Sequence, residues 1–375
     1  HRLAYGKQVE RLCARLRRNG ALILTDFDDL IFDLAAFPFI HSPDFVDPIR
    51  VAYYKQNMRN HLATLESSDG SLVSTNFLAE RVRGVGKPAW VHRNAFSLEM
   101  LAFSEAARKQ KGQRSDGRVV VGYASGTPTH DLDFEQIKPA LIELMGRHGQ
   151  VDLCLVGPVD PGTGWDGLSG RIYHRPFVPW RKLPEILASF DINLAPLVAD
   201  NPFAQSKSEI KFMEAAMVET PTIASPTDAF RFAVSHGKTG FLAGNAAEWS
   251  EALSALVEDP ALRAQMGQQA YLHVLQNYHP ETRAAQLIET LNLICQNVGG
   301  RQFAAAGCGA EVRKIQPAQP GGRWLPERYE REAPLFLMGL YSMRNLGFQT
   351  LLRRVWIFLR RAAAPVFPFR GSRKS

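Results

Sequence analysis

The chain is poor in the features that would take it out of ordinary globular enzyme chemistry. Its four cysteines (Cys13, Cys154, Cys295 and Cys308) stand far apart, with no C-x-x-C pair and no histidine at metal-ligand spacing. That spacing argues against a disulfide framework and a zinc site and points to a reducing compartment. There is no G-x-G-x-x-G, so a dinucleotide fingerprint is missing. There is no repeat of fixed period. Disorder does not fit 45% hydrophobic and 22% charged residues. The sequence opens on His1 rather than Met, which is expected of an artificial boundary or a fragment.

Acidic residues are scarce in one place only. From Gly300 onward fourteen Lys/Arg face four Asp/Glu, so the remainder carries −3 although the whole chain carries +7. The basic character belongs to the tail, and residues 1–299 have no nucleic-acid footprint.

What is present is an alternation of strand-like and helix-like segments. Ala21-Leu22-Ile23-Leu24-Thr25 is a continuous apolar run of the buried parallel-strand type, preceded by helical periodicity over 7–19. Helix 48–66, strand 71–75, a helix from Asn76 and strand 89–92 follow. After the polar stretch 108–118 comes a cleaner series, with strands at 119–122, 151–156, 171–174, 191–196 and 221–224. Helices are expected at 133–147, 180–189, 208–218, 247–257, 260–276 and 280–297. The pattern predicts α/β architecture, with two doubly wound, parallel Rossmann-like domains whose ligands bind beyond the carboxyl ends of the strands.

Three segments carry the chemistry. Lys207-Ser208-Glu209-Ile210-Lys211-Phe212-Met213-Glu214 places Lys207, Lys211 and Glu214 on one helical face beside a helix start, suited to a diphosphate and ribose hydroxyls. The plainer reading is a solvated amphipathic helix. Ser125-Gly126-Thr127 lies just after the strand at 119–122, where small side chains and free N–H groups form a phosphate nest. His130, four residues past Gly126, could contact diphosphate or simply brace the loop. Asp26-Phe27-Asp28 reads as a D-x-D metal motif, or as residues lining a cleft, or as a helix cap at Asp28 or Asp29.

Together these segments resemble the retaining GT-B glycosyltransferases of the group 1 type, in a polysaccharide and O-antigen branch. The resemblance runs over roughly residues 15–297 and rests on Lys-Ser-Glu-x-Lys, on Glu214-Ala215, on Pro221-Thr222-Ile223-Ala224-Ser225 and on Ser-Gly-Thr-x-Thr-His-Asp. It implies that Glu214 binds the ribose of a sugar nucleotide. Ser206 falls where the family's first acidic residue stands, so the paired-glutamate motif is incomplete. Ser206, Ser208 and Glu209 then belong with the donor-binding group. The turn at Phe177-Val178 is expected to hold the base, while Trp180 is expected in the core. Lys207 and Lys211 would neutralise the leaving diphosphate, with Asp26, Asp28 and Asp29 along the interdomain cleft and no metal implied.

The resemblance divides the chain into a partial acceptor-side domain (1–108), a nucleotide-sugar domain (109–297), a linker (298–325) and a basic helical tail (326–375). It implies sugar transfer from a nucleotide-sugar donor, used as substrate with no separate cofactor, to a glycan or lipid-linked acceptor. Rival readings are a non-catalytic nucleotide-sugar module and a GT-B epimerase. Residues 333–375 hold eight Arg/Lys and no acid among aromatic and aliphatic residues, too interrupted by arginine to span a bilayer. Such a segment suits either an anionic membrane surface or packing on the enzyme. The expected location is cytoplasmic, at the inner face of the plasma membrane.

Overall fold

A computed structural model describes residues 2–112, 116–127 and 131–298. His130, the linker past Val298 and the basic tail lie outside the described residues.

The first unit runs α1 (Lys7–Arg18), β1 (Leu24–Phe27), α2 (Pro48–Ser67), β2 (Gly70–Val73), α3 (Asn76–Gly84) and β3 (Ala89–Val91). Its three strands are parallel in the order β1-β2-β3. Residues with side-chain acceptors start the helices. Asp47 accepts from Ile49 N before α2, and Thr75 accepts from Leu78 N before α3. Phe27, Leu30, Phe32, Leu65, Val73, Leu78 and Val82 form the core between sheet and helices. The first strand pairs three residues later than the apolar run suggests. Its partner Gly70 meets Leu24, and Asp69 holds Ile23 at both its N–H and its carbonyl, so pairing begins only beyond Ile23.

The crossing helix α4 (Leu98–Gln110) was not apparent from periodicity, although Ser97 caps it by accepting from Met100 N. Met100 packs with Phe212 and Met213, and Ala107 packs with Val120 and Phe190. The expected division after residue 108 therefore falls inside a helix that packs on the second unit.

The second unit holds β4 (Val119–Ala124), α5 (Asp131–Glu135), α6 (Lys138–Arg147), β5 (Val151–Val156), β6 (Ile172–Arg175), α7 (Leu183–Ala188) and β7 (Ile192–Ala195). It continues with α8 (Pro202–Gln205), α9 (Ile210–Ala216), β8 (Thr222–Ala224), α10 (Asp228–Ala233), β9 (Phe241–Leu242), α11 (Ala246–Glu258), α12 (Pro260–Tyr278) and α13 (Pro280–Val298). All six strands are parallel, in the order β6-β5-β4-β7-β8-β9. The strand order reverses between β4 and β7, so a crevice opens beyond their carboxyl ends. Gly122 is required where β4 meets the turn after α7: a Cβ there would lie 2.1 Å from the Phe190 ring.

Two expectations are corrected. The helix read over 133–147 is two helices, because Pro139 stands in the first turn of α6 and cannot continue a preceding helix. Trp180 is not core. It is 41% exposed, lying edge-on to Phe103 with the Arg181 guanidinium over its ring.

Candidate functional site

The crevice beyond β4 and β7 gathers three of the predicted segments. Ser125 leaves β4 buried, donating its hydroxyl to the Thr127 carbonyl at 2.8 Å, while Gly126 and Thr127 are exposed. Phe177 stands 65% exposed above this loop, its ring 3.9 Å from where a Cβ of Gly126 would sit, and Val178 is half-buried. The loop and the Phe177 turn are thus neighbours, as a phosphate nest and a base slot would have to be.

Beneath them, α9 presents Lys211 and Glu214. The Lys211 ammonium lies 4.3 Å from the centre of the Tyr123 ring and has no hydrogen-bond partner among the described residues, although it is buried. An ammonium carries three donors, and leaving them unmet in the interior is costly. Burial pulls Lys211 down to about 8; Asp133 and Glu214 oppose the drop and Lys207 adds to it. Burial likewise pushes the Glu214 carboxyl up to about 7, with Lys211 opposing. Burial thus works against the charge of both groups, and the ammonium is left without a hydrogen-bond partner among the described residues.

One turn earlier the chemistry is satisfied. Glu209 is buried and accepts from the Tyr278 hydroxyl at 2.7 Å and from Arg93 Nη1 at 3.5 Å. The Arg93 guanidinium rests 3.6 Å over the Phe232 ring, and Arg283 donates twice to the Arg93 carbonyl at 3.1 and 3.0 Å. Asn94 Nδ2 donates to Ser208 Oγ at 2.9 Å. The structure therefore places Glu209 and Ser208 in the joint between the units, with partners, rather than facing the crevice.

Lys207 precedes the helix instead of sharing its face with Lys211 and Glu214. Its ammonium pairs with Asp29 at 2.9 Å and lies 4.1 Å over the Phe203 ring. Ser206 is fully buried, donating to the Phe203 carbonyl at 2.7 Å and to Asp29 at 3.2 Å. Of the three aspartates, Asp29 reaches the second unit, Asp28 pairs with Arg2 at 2.6 Å, and Asp26 is exposed. Neither suggested cap falls before a helix. Asp29 accepts from the next residue's N–H, and it is Asp33 that caps the short 3-10 turn Leu34–Phe39. Among the described residues no three His, Cys, Asp or Glu gather at metal-holding distance.

Sequence reasoning missed Arg93, Tyr278 and Arg283, which meet only in three dimensions. The one local hint was an arginine just past the apolar strand at 89–91.

Two parallel Rossmann-like units with a crevice between them define the GT-B class of fold. The chain is similar to the crystal structure of Anabaena Alr3699/HepE in complex with UDP and glucose, with a TM-score of 0.51, 18% identity, and 76% of this chain and 75% of that chain covered. It is also similar to WaaG, a glycosyltransferase involved in lipopolysaccharide biosynthesis, with a TM-score of 0.50, 11% identity, and 73% and 80% covered. Residues 138–289 match the family model described as Glycosyl transferase-like. A curated relative, the D-inositol 3-phosphate glycosyltransferase of Arthrobacter sp. (strain FB24), is 29% identical over 159 residues, which is 39% of this chain and 36% of the relative. The enzyme of the same name from Pseudarthrobacter chlorophenolicus is 31% identical over 118 residues, 31% of this chain and 27% of that protein. The matched part thus spans about a third or less of these curated relatives.

Proposed function

We propose that this chain is a nucleotide-sugar-dependent glycosyltransferase that works with retention and without a metal ion. The observation that carries the reading is the buried, unmatched Lys211 ammonium beside Glu214, at the switch point of the second sheet. Phosphate oxygens would supply the acceptors that Lys211 lacks, and a ribose diol would engage Glu214. As a glycosyl–phosphate bond breaks, negative charge grows on the diphosphate, and preoriented cations lower the barrier by meeting it. Lys211 is held for that purpose by the Tyr123 face, and Lys207 stands at the crevice mouth. Ser125, Gly126 and Thr127 would cradle phosphate oxygens, and Phe177 with Val178 would flank the base. His130 stays with the diphosphate group of residues as a proposal from sequence.

HepE was crystallised with UDP-glucose, which supports a UDP-sugar as donor here. The acceptor is proposed to be a glycan or lipid-linked carrier in bacterial surface-polysaccharide assembly, with Asp26 and Asp28 on the acceptor side. The basic residues of 333–375 would then hold the enzyme at the anionic inner face of the plasma membrane. Among the described residues no helix is long and apolar enough to cross a membrane. A second reading, a nucleotide-sugar-binding module without turnover, draws on Ser206, which is buried where an acidic residue is expected.

Calorimetric titration with UDP-, GDP- and dTDP-glucose tests the donor claim. Saturable binding of one, lost in the Lys211→Met variant, is expected; no binding of any rejects it. Turnover with the bound donor and a lipid-linked glycan separates enzyme from module, and product anomeric configuration reads retention. Activity should survive EDTA; loss on chelation that manganese restores would revive the Asp26–Asp28 metal reading.

A further inference from the structure

We propose that Asp29 is a built-in competitor of the diphosphate for Lys207, so that donor binding must displace the first unit's own carboxylate. The inference rests on the nucleotide-sugar reading and adds regulation of that site. Asp29 lies 178 positions from Lys207 in sequence and belongs to the other unit, yet its Oδ2 is 2.9 Å from the ammonium. It is only 7% exposed. Its Oδ1 takes the Ser206 hydroxyl at 3.2 Å and the Leu30 N–H at 3.1 Å, and Arg2 approaches Oδ2 at 3.6 Å.

Two donors from the segment just before α9 therefore already hold an anion, and that anion comes from the protein. The neighbouring contacts agree. Asn201 Nδ2 donates to the Phe39 carbonyl at 2.8 Å, bringing the first unit down over the crevice mouth. The space left between Phe39 and Ile40 on one side and Asp133, Asn201, Phe203 and Lys207 on the other is about 20 Å³. That is about the room one water needs, far below the several hundred Å³ of a ligand pocket.

The Lys207 ammonium has three donors but a single charge, so a diphosphate placed beside Asp29 would crowd negative charge into a partly buried site. A diphosphate that reaches Lys207 must therefore expel Asp29, and the Asn201–Phe39 contact beside it has to open. The carboxylate so released would face the crevice on the acceptor side. Donor binding would then precede and prepare acceptor binding.

The discriminating experiment titrates inorganic pyrophosphate into the wild-type chain, Asp29→Asn and Asp29→Glu, because pyrophosphate reads the diphosphate position whatever the base. When the binding-competent form is a minor one, apparent affinity falls in proportion to its population, so removing the competitor should tighten binding about tenfold. Asp29→Glu keeps a carboxylate and should stay within about twofold of wild type on the same reasoning. Unchanged or weaker binding by Asp29→Asn overturns the proposal, because Asp29 would then merely orient Lys207. Should that variant fail to fold, amide hydrogen exchange of the wild type decides. Saturating pyrophosphate should speed exchange at Leu30, whose N–H loses Asp29, and unchanged exchange overturns the proposal. Wild-type protein that binds neither pyrophosphate nor any nucleotide sugar would strike the functional reading itself. Wild-type binding that Asp29→Asn does not tighten strikes this inference alone.

Discussion

Two cation–carboxylate arrangements sit one turn apart on the same helix and differ in every respect that matters. At the start of α9, Glu209 has Arg93 and Tyr278, and Arg93 has Phe232 beneath it. One turn on, Lys211 and Glu214 are held in the interior with their charges opposed by burial and no hydrogen bond made by the ammonium. Burying a charge stabilises nothing unless the interior returns what water gave. The first arrangement has its partners supplied by the protein and joins the two units, although burial still pushes the Glu209 carboxyl up. The second is left open, and an open buried ammonium is what a ligand site needs before the ligand arrives. The contrast separates a structural ion pair from the pair proposed to bind a ligand without reference to any relative.

Substitutions should therefore act in opposite directions at the two places. Arg93→Ala has the largest expected effect, because it strands the Glu209 carboxylate in the interior; breaking a buried pair costs about 3–5 kcal/mol. Chemical denaturation would show it, and a loss below about 1 kcal/mol would mean that the joint is not the tie it looks.

Lys211→Met should leave stability unchanged or raise it, since an unmatched charge is replaced by an apolar chain of similar length. The same change should lower kcat by about a hundredfold, the scale seen when one preoriented transition-state donor is lost. An effect confined to KM would assign Lys211 to ground-state binding. Destabilisation by Lys211→Met would erase the distinction between the two arrangements.

Glu214→Ala comes next. A hydrogen bond to a charged group is worth about 1.5–3 kcal/mol, so donor affinity should fall by one to two decades with the fold intact. Unchanged affinity removes Glu214 from the site.

The smallest effect is the pH dependence of stability. Glu214 titrates near 7 in the folded protein against an ordinary 4.5, so between those values the folded state keeps a proton that the unfolded chain has released. Its contribution to stability therefore declines as pH rises from 4.5 to 7. Lys211 titrates near 8 against 10.5, so between pH 8 and 10.5 the unfolded chain holds the extra proton and stability recovers as pH rises. Glu214→Gln should flatten the acidic slope, which is at most about 1.4 kcal/mol per pH unit, and Lys211→Met the alkaline one. Identical profiles for wild type and both variants would show that these groups titrate normally.

The second unit was legible in the sequence almost strand by strand because its parallel strands are continuous apolar runs punctuated by polar turns. Val151–Val156 begins and ends where expected. The first unit was read less well, since β1 takes its register from Gly70 and Asp69 rather than from its own apolar run. At the site, Lys211 and Glu214 announced themselves by spacing on one helix. Lys207 did not keep that company, because the helix begins at Ile210 and the chain before it turns toward Asp29. Trp180 was misjudged because size and aromaticity say nothing about which side of a turn a ring leaves from. Arg93, Tyr278 and Arg283 were invisible, as no local pattern ties position 93 to 209, 278 and 283.

The double hydrogen bond from Arg283 to the Arg93 carbonyl also sets an order of assembly. These residues are 190 positions apart, and a growing chain emerges from its amino end. Sheets and helices of both units can form while translation continues, but the crossover at Arg93 stays without its second arginine until α13 has left the ribosome. This tie between the halves is thus among the last a nascent molecule acquires, and a chain released before residue 283 would carry both halves without this clasp.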